Sequence, residues 1–249
     1  MSERIAKALA RAGLCSRREA ERWIAQGRVA VDGTVLTSPA RDVDSGNVIE
    51  VDGRKLPTAE PARLFRYHKP AGLVTTHKDE QGRPTVFEKL PKGLPRVISV
   101  GRLDLNSEGL LLLTNDGGLA RELELPSRGW LRRYRVRVHG APTREQLASL
   151  AGGVTVDGVA YGPITATLER LQGANAWVTV ALREGRNREI RKVMAHLGFD
   201  VTRLIRVSYG PFPLGDLPRG AVAEVPRGEM RALLGKQLVP PLAHRRGQA

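Results

Sequence analysis

Arg102 and Asp104 stand two residues apart in the stretch Gly101 to Gly117, GRLDLNSEGLLLLTNDG, where charged residues interrupt a strongly apolar neighbourhood in a defined order. On an extended backbone, residues two apart point to the same side, so this guanidinium and this carboxylate can meet. A neighbouring cation keeps a carboxylate ionised and fixes its direction. Such a carboxylate beside a cleft can act as a nucleophile or a base. An ordinary structural ion pair next to a turn has the same spacing, and the residue types alone leave both accounts open.

The flanking residues say what must position this pair. Val97, Ile98 and Val100 predict a short strand leading in, Leu110 to Leu113 form an apolar run too short for a helix, and Asn115-Asp116-Gly117 is a turn signal. Further on, Arg128, Arg132, Arg133, Arg135 and Arg137 face no acid between residues 128 and 139. Tyr134, Val136 and Val138 alternate with Arg135, Arg137 and His139, which predicts a strand with one apolar and one basic face. Tyr134 falls on the apolar face, where a core tyrosine satisfies the pattern. In EGRNREIRKVMAHLG, residues 184–198, Ile190, Val193, Met194 and Leu197 make an apolar helical stripe with Arg188, Arg191 and Lys192 beside or behind it. The N-terminus of that helix, preceded by Arg186, can receive a phosphate through free amides, and a solvated cationic face fits the pattern equally.

The 249 residues are 41% apolar, enough for one large or two modest domains with a proper core. Forty Lys and Arg against 26 Asp and Glu leave a net charge of +14, which points to a polyanionic partner, with nucleic acid the leading class. The single cysteine, Cys15, excludes an internal disulfide and a cysteine-rich zinc site. No segment has the length and apolarity of a signal peptide or a bilayer span, which predicts a cytoplasmic chain without a membrane partner. Five scattered histidines show no metal-ligand spacing, and no Gly-rich nucleotide loop is present, so neither metal nor cofactor is expected.

The first thirty residues carry seven basic side chains against three acids. Ile5, Ala8, Leu9 and Ala12 predict one helix ending at Gly13, and Ser16-Arg17-Arg18-Glu19 has the form of a capping box opening a second. Valine-rich pairs punctuated by Asp32-Gly33 and Asp52-Gly53 predict a small sheet. Pro57 to Pro61 reads as a linker, giving domains at 1–60 and 61–230. The segment after Pro226 is basic and expected to fray, with 231–249 set apart as a C-terminal tail.

GRLD followed by Ser107, Gly109, the leucine run and TNDG resembles the signature of the RsuA-type branch of the pseudouridine synthases, which includes RluB, RluE and RluF. The strings KPAG, residues 69–72, GRPTV, residues 82–86, and EGRNREIRKVMAHLG recur in that family in the same order. GLCSRREAERWIAQGRVAVDG resembles the αL RNA-binding module of the S-four type of ribosomal protein. The resemblance implies an α+β pseudouridine synthase fold, a mixed and mainly antiparallel sheet with flanking helices and a central cleft, behind that small module. It implies isomerisation of a uridine in ribosomal RNA to pseudouridine without a cofactor, by a monomer, with KPAGLVTTHKDEQGRPTVFE and TRLIRV closer to RluB-type large-subunit enzymes than to the small-subunit one.

The resemblance assigns the nucleophilic aspartate to Asp104, a charge partner to Arg191 with Arg102 beside it, and the stacking tyrosine to Tyr134. An apolar contact under the base falls on Leu204, and phosphate contacts on Arg186, Arg188, Arg11, Arg17, Arg18 and Arg28. A base extruded from RNA needs a new aromatic partner, worth roughly 1 to 3 kcal/mol. Two other activities use the same basic surfaces. A non-catalytic rRNA-binding factor needs no carboxylate beside bound RNA, and an N-glycosidase wants a second carboxylate to place water, for which Glu108 is the near candidate.

Overall fold

A computed structural model describes residues 2–235 and 238–239. It opens with β1 (Glu3–Arg4), α1 (Ile5–Arg11) and α2 (Arg17–Ala25). The capping box forms: Ser16 Oγ accepts from the Glu19 amide at 3.1 Å, and the Glu19 carboxylate accepts from the Ser16 amide at 3.4 Å. Next come β2 (Val29–Val31), β3 (Thr34–Val35), β4 (Asp42–Val43), β5 (Ile49–Val51) and β6 (Arg54–Lys55). Four of these make a sheet in the order β3-β2-β5-β6, and β4 pairs with β1. Asp32-Gly33 and Asp52-Gly53 turn its hairpins with positive φ at all four residues, the geometry that suits a tight two-residue turn. Ile5, Leu9, Ala20 and Ile24 close over Val29, Val31 and Val51 as a core confined to this unit. Residues 56–63 contain neither helix nor strand.

The remaining strands are β7 (Leu64–Lys69), β8 (Ile98–Val100), β9 (Ser107–Thr114), β10 (Arg132–His139), β11 (Val154–Val156), β12 (Val159–Tyr161), β13 (Ile164–Gln172), β14 (Asn175–Leu182), β15 (Val201–Tyr209), β16 (Phe212–Pro213) and β17 (Val222–Glu224). The helices between them are α3 (Gly117–Glu124), α4 (Arg144–Ala148), α5 (Glu189–His196) and α6 (Arg227–Leu234). A nine-stranded sheet runs β13-β14-β10-β15-β9-β7-β17, with β16 on β15 and β8 on β9. Every pairing in it is antiparallel except β15 with β9. This is the mixed, mainly antiparallel sheet with flanking helices that the resemblance implies.

All eight residues of β9 are buried, which explains its unbroken leucine run: a strand covered on both faces has no solvent side to alternate with. Leu110 and Leu112 pack with α3, α6 and Phe212, whereas Leu111 and Leu113 pack with Phe65, Tyr67, Val86 and Leu103. Beside β9, the Tyr134-Val136-Val138 face of β10 and the matching faces of β14 and β15 are covered by α4, α5 and the β11–β12 hairpin. Gly109 lets β9 and β15 meet: at φ +99° its backbone is so close to Arg206 that a Cβ would sit 2.3 Å from the Arg206 carbonyl oxygen.

One expectation fails at the C-terminus. The segment after Pro226 was expected to fray, yet α6 packs there, with Met230, Leu234 and then Val239 buried against Leu64 and Leu110. Apolar anchoring outweighs the basic composition that suggested a tail. Residues 236–237 and 240–249 of that predicted tail lie outside the described residues.

Candidate active site

Asp104 lies between β8 and β9 in a stretch without regular structure, and the chain holds that stretch from several directions. Lys69, at the end of β7 and fully buried, donates to the carbonyls of Pro70 at 3.0 Å, Asp104 at 3.2 Å, Leu105 at 3.4 Å and Ser107 at 2.9 Å. Thr75 Oγ1 donates to the Leu103 carbonyl at 2.8 Å, and the Gly101 amide donates to Glu124 at 2.6 Å. Arg191, on α5, donates to the Asn106 carbonyl at 3.0 Å and to the Val201 carbonyl at 2.8 Å. The backbone around Asp104 is therefore clamped while its carboxylate is left for something else. Among the described residues that carboxylate has no ion pair within 4.0 Å.

A cleft of about 950 Å³ opens in front of it. Asp104, Arg102, Tyr134, Leu204, Arg186 and Arg188 all line this cleft, so the structure brings together six of the residues assigned from the sequence. Tyr134 and Leu204 reach it from β10 and β15, both nearly buried, and offer a ring and an apolar floor. Ile190, at the first turn of α5, adds to that floor. Arg186 pairs with Glu184 at 3.2 Å. Arg188, in the left-handed conformation at φ 52°, forms the N-cap of α5 and exposes its guanidinium at the rim.

Two expectations need correction. Arg102 is exposed and makes no ion pair with Asp104 within 4.0 Å, because residues 101–106 are not a strand and the two-residue alternation does not apply there. Arg191 does not line the cleft: it sits behind the Asp104 loop, with two nitrogens on backbone carbonyls and a buried Nε that has no partner. Burial and the neighbouring Arg188 push its guanidinium down, and the Asp104 charge pulls it back up, so it acts on Asp104 through space.

Sequence reasoning missed Lys69 and Arg206. Burial pushes the Lys69 ammonium down to about 8, against the upward pull of the Asp104 and Glu108 carboxylates. Its signal lay in β7, where Phe65, Tyr67 and Lys69 alternate onto one buried face. Arg206 lines the cleft, is 3% exposed and donates through Nε to the Leu110 carbonyl at 2.7 Å. Glu108 is turned away from the cleft and gripped by Arg203 at 2.8 and 3.0 Å and by Arg219 at 3.1 Å. It cannot place a water opposite Asp104.

In the N-terminal unit Arg28 forms a two-pronged pair with Asp52 at 2.9 and 2.6 Å, and Arg11 pairs with Glu3. Arg17 and Arg18 are exposed and form no ion pair among the described residues, and Arg17 reaches towards Gly117 at the start of α3.

Residues 63–196 match the family described as RNA pseudouridylate synthase, and residues 3–49 match the S4 domain. The chain is 49% identical to an uncharacterized RNA pseudouridine synthase of Rickettsia felis, over 90% of this chain and 96% of the relative. It is 44% identical to the ribosomal large subunit pseudouridine synthase B of Salmonella typhimurium, over 97% of this chain and 85% of that one. A crystal structure of a pseudouridylate synthase superposes with a TM-score of 0.64 at 27% identity, covering 92% of this chain and 99% of that one. With this sheet, this cleft and these relatives, the chain belongs to the RNA pseudouridine synthases and carries an S4 domain at its N-terminus.

Proposed function

We propose that this enzyme converts one uridine of large-subunit ribosomal RNA into pseudouridine, with Asp104 as the group that acts on the ribose. The observation that carries the reading is a carboxylate without a salt-bridge partner among the described residues, on a backbone clamped by Lys69 and Arg191, facing a cleft with a tyrosine ring and an apolar floor. In the isomerisation the C1′–N1 bond breaks, the uracil turns, C5 bonds to C1′, the C5 proton leaves and N1 takes one up. No atom is gained or lost.

Asp104 begins this by attacking C1′ or by removing the 2′ proton. Both routes need an ionised carboxylate held still in a site with little water. Tyr134 stacks on the extruded base and Leu204 supports it, while Arg102, Arg186 and Arg188 at the rim neutralise the flanking phosphates. Arg191 acts behind the loop as a positioning residue. The large-subunit assignment rests on the likeness to the Salmonella typhimurium enzyme. The same reading takes residues 1–60 as an RNA-capturing domain on a catalytic domain at 61–230, acting as a cytoplasmic monomer.

A pseudouridine map of both ribosomal RNAs, by carbodiimide-dependent reverse-transcription stops, tests this. In cells lacking the protein one large-subunit stop disappears; wild type restores it and Asp104→Asn does not. An unchanged map in the deletion strain, or rescue by Asp104→Asn, overturns the reading. Disappearance of a small-subunit stop instead moves the substrate to that RNA.

A further inference from the structure

Of the four arginines of β10, Arg132 lines the cleft beside Tyr134, and the other three do not. Tyr134 lines it, so in the alternating strand Arg133, Arg135 and Arg137 emerge on the opposite face of the sheet. Cross-strand register places Arg135 beside Thr179 and Arg137 beside Trp177 on β14, with Ile205 and Arg203 on the β15 side. α4, α5 and the β11–β12 hairpin cover the Tyr134 side of this half of the sheet, and on the reverse side the core built from α3, α6 and Phe212 reaches Ile205 of β15. Beyond Ile205 on that side, Arg133 is exposed and Arg135 and Arg137 are half-buried.

We propose that this reverse face is a second RNA-docking surface, which holds the sugar-phosphate backbone of a segment of the ribosomal RNA remote from the target uridine. The proposal rests on the pseudouridine synthase reading, since it takes the substrate RNA as the occupant. Its charge is lopsided: arginines dominate, against Glu169, held by Arg135 at 2.9 Å, and Glu108, held by Arg203 and Arg219. Arg133 and Arg137 form no ion pair among the described residues, and Arg137 Nε is buried without a partner. Consecutive arginines on one strand face recur about every 6.8 Å, and each guanidinium can bind a phosphate through two parallel hydrogen bonds.

An acidic protein fits less well, because a protein interface wants an apolar centre. The largest apolar side chain on this face, Trp177, is nearly buried beneath the Arg135 guanidinium at 4.8 Å. Because the face and the cleft are on opposite sides of the sheet, a short RNA filling the cleft leaves it empty. A longer RNA must fold around an edge of the sheet to reach it.

The test compares two RNAs: a full-length transcript of large-subunit ribosomal RNA, and a stem-loop of about 30 nucleotides centred on the uridine that the wild type modifies. The variants are Arg133→Glu/Arg137→Glu and the milder Arg133→Gln/Arg137→Gln. With the full transcript, filter binding weakens about tenfold in the glutamate pair, less in the glutamine pair, and the slope of log affinity against log salt falls by about 2. With the stem-loop, turnover and KM stay at wild-type values, which also shows that the variants fold. Equal affinity and equal salt slope on the full transcript overturn the proposal and leave an acidic protein as the occupant. Equal losses on both RNAs overturn it too, since the face would then not be remote. If the wild type forms no pseudouridine in the full transcript, and so defines no stem-loop, the catalytic reading fails alone, and binding to the full transcript still decides for or against this face.

Discussion

Four carbonyl oxygens converge on the Lys69 ammonium, and three of them belong to the chain from Asp104 to Ser107. Deprotonation as pH rises through about 8 weakens that grip, so turnover falls on the alkaline side. Lys69→Met is expected to lower turnover at least tenfold at neutral pH and to remove this alkaline limb. Stability moves the other way. The folded-state value lies below the ordinary 10.5, so between the two the unfolded chain holds more protons and folding stability rises with pH. Turnover profiles and denaturant titrations from pH 7 to 10 check both signs; a parallel decline of activity and stability would refute the assignment. At this scale, Asp104, Tyr134 and Leu204 were legible as neighbours of one cleft through their strings. Lys69 and Arg206 were not, because all but one of the carbonyls that make these buried cations tolerable come from residues 35 to 96 positions away. The missing Arg102–Asp104 pair has a local cause: alternation is a property of strands, and those residues form a loop.

Among the elements, β9 depends on Gly109. Gly109→Ala forces a Cβ into the Arg206 backbone at a φ that L side chains rarely adopt, with an expected cost of about 3 kcal/mol, or about 6 to 12 °C in thermal midpoint. Thermal unfolding measures it, and a midpoint within 2 °C of wild type would show that β9 and β15 can separate without loss. Most of the elements were readable, since the module hairpins and β10 alternate cleanly and α5 keeps its apolar stripe. α6 was not: Met230, Leu233 and Leu234 have helical spacing, but a count of charges in that segment draws attention to its basic residues. The arginine face of β10 was legible as basic, whereas its direction, away from Tyr134's cleft, follows only from knowing what the strand packs against.

Across the whole molecule, the net charge of +14 is divided among surfaces with different work. Of the four arginines assigned to phosphate in the N-terminal unit, Arg28 and Arg11 are held by acids of their own unit, which leaves Arg17 and Arg18 exposed without an ion pair among the described residues. Arg17→Glu/Arg18→Glu is expected to raise KM for the full transcript about tenfold and to leave kcat within twofold, with the salt slope reduced by about 2. Steady-state assays across salt check this, and a drop in kcat with KM unchanged would instead place these residues at the reacting uridine.

The wholly buried β9 also sets the order in which this chain can be made. Its hydrogen-bonded neighbour β15 begins at Val201, and the far edge of the sheet, β17, at Val222. At a translation rate of about 5 to 20 residues per second, the leucine run waits roughly 5 to 20 seconds on the ribosome before those partners emerge. During that interval four consecutive leucines remain without their final cover, which makes the nascent chain a client for whatever shields apolar segments at the exit tunnel. This RNA pseudouridine synthase thus spends those seconds of its own synthesis with its most deeply covered strand still open.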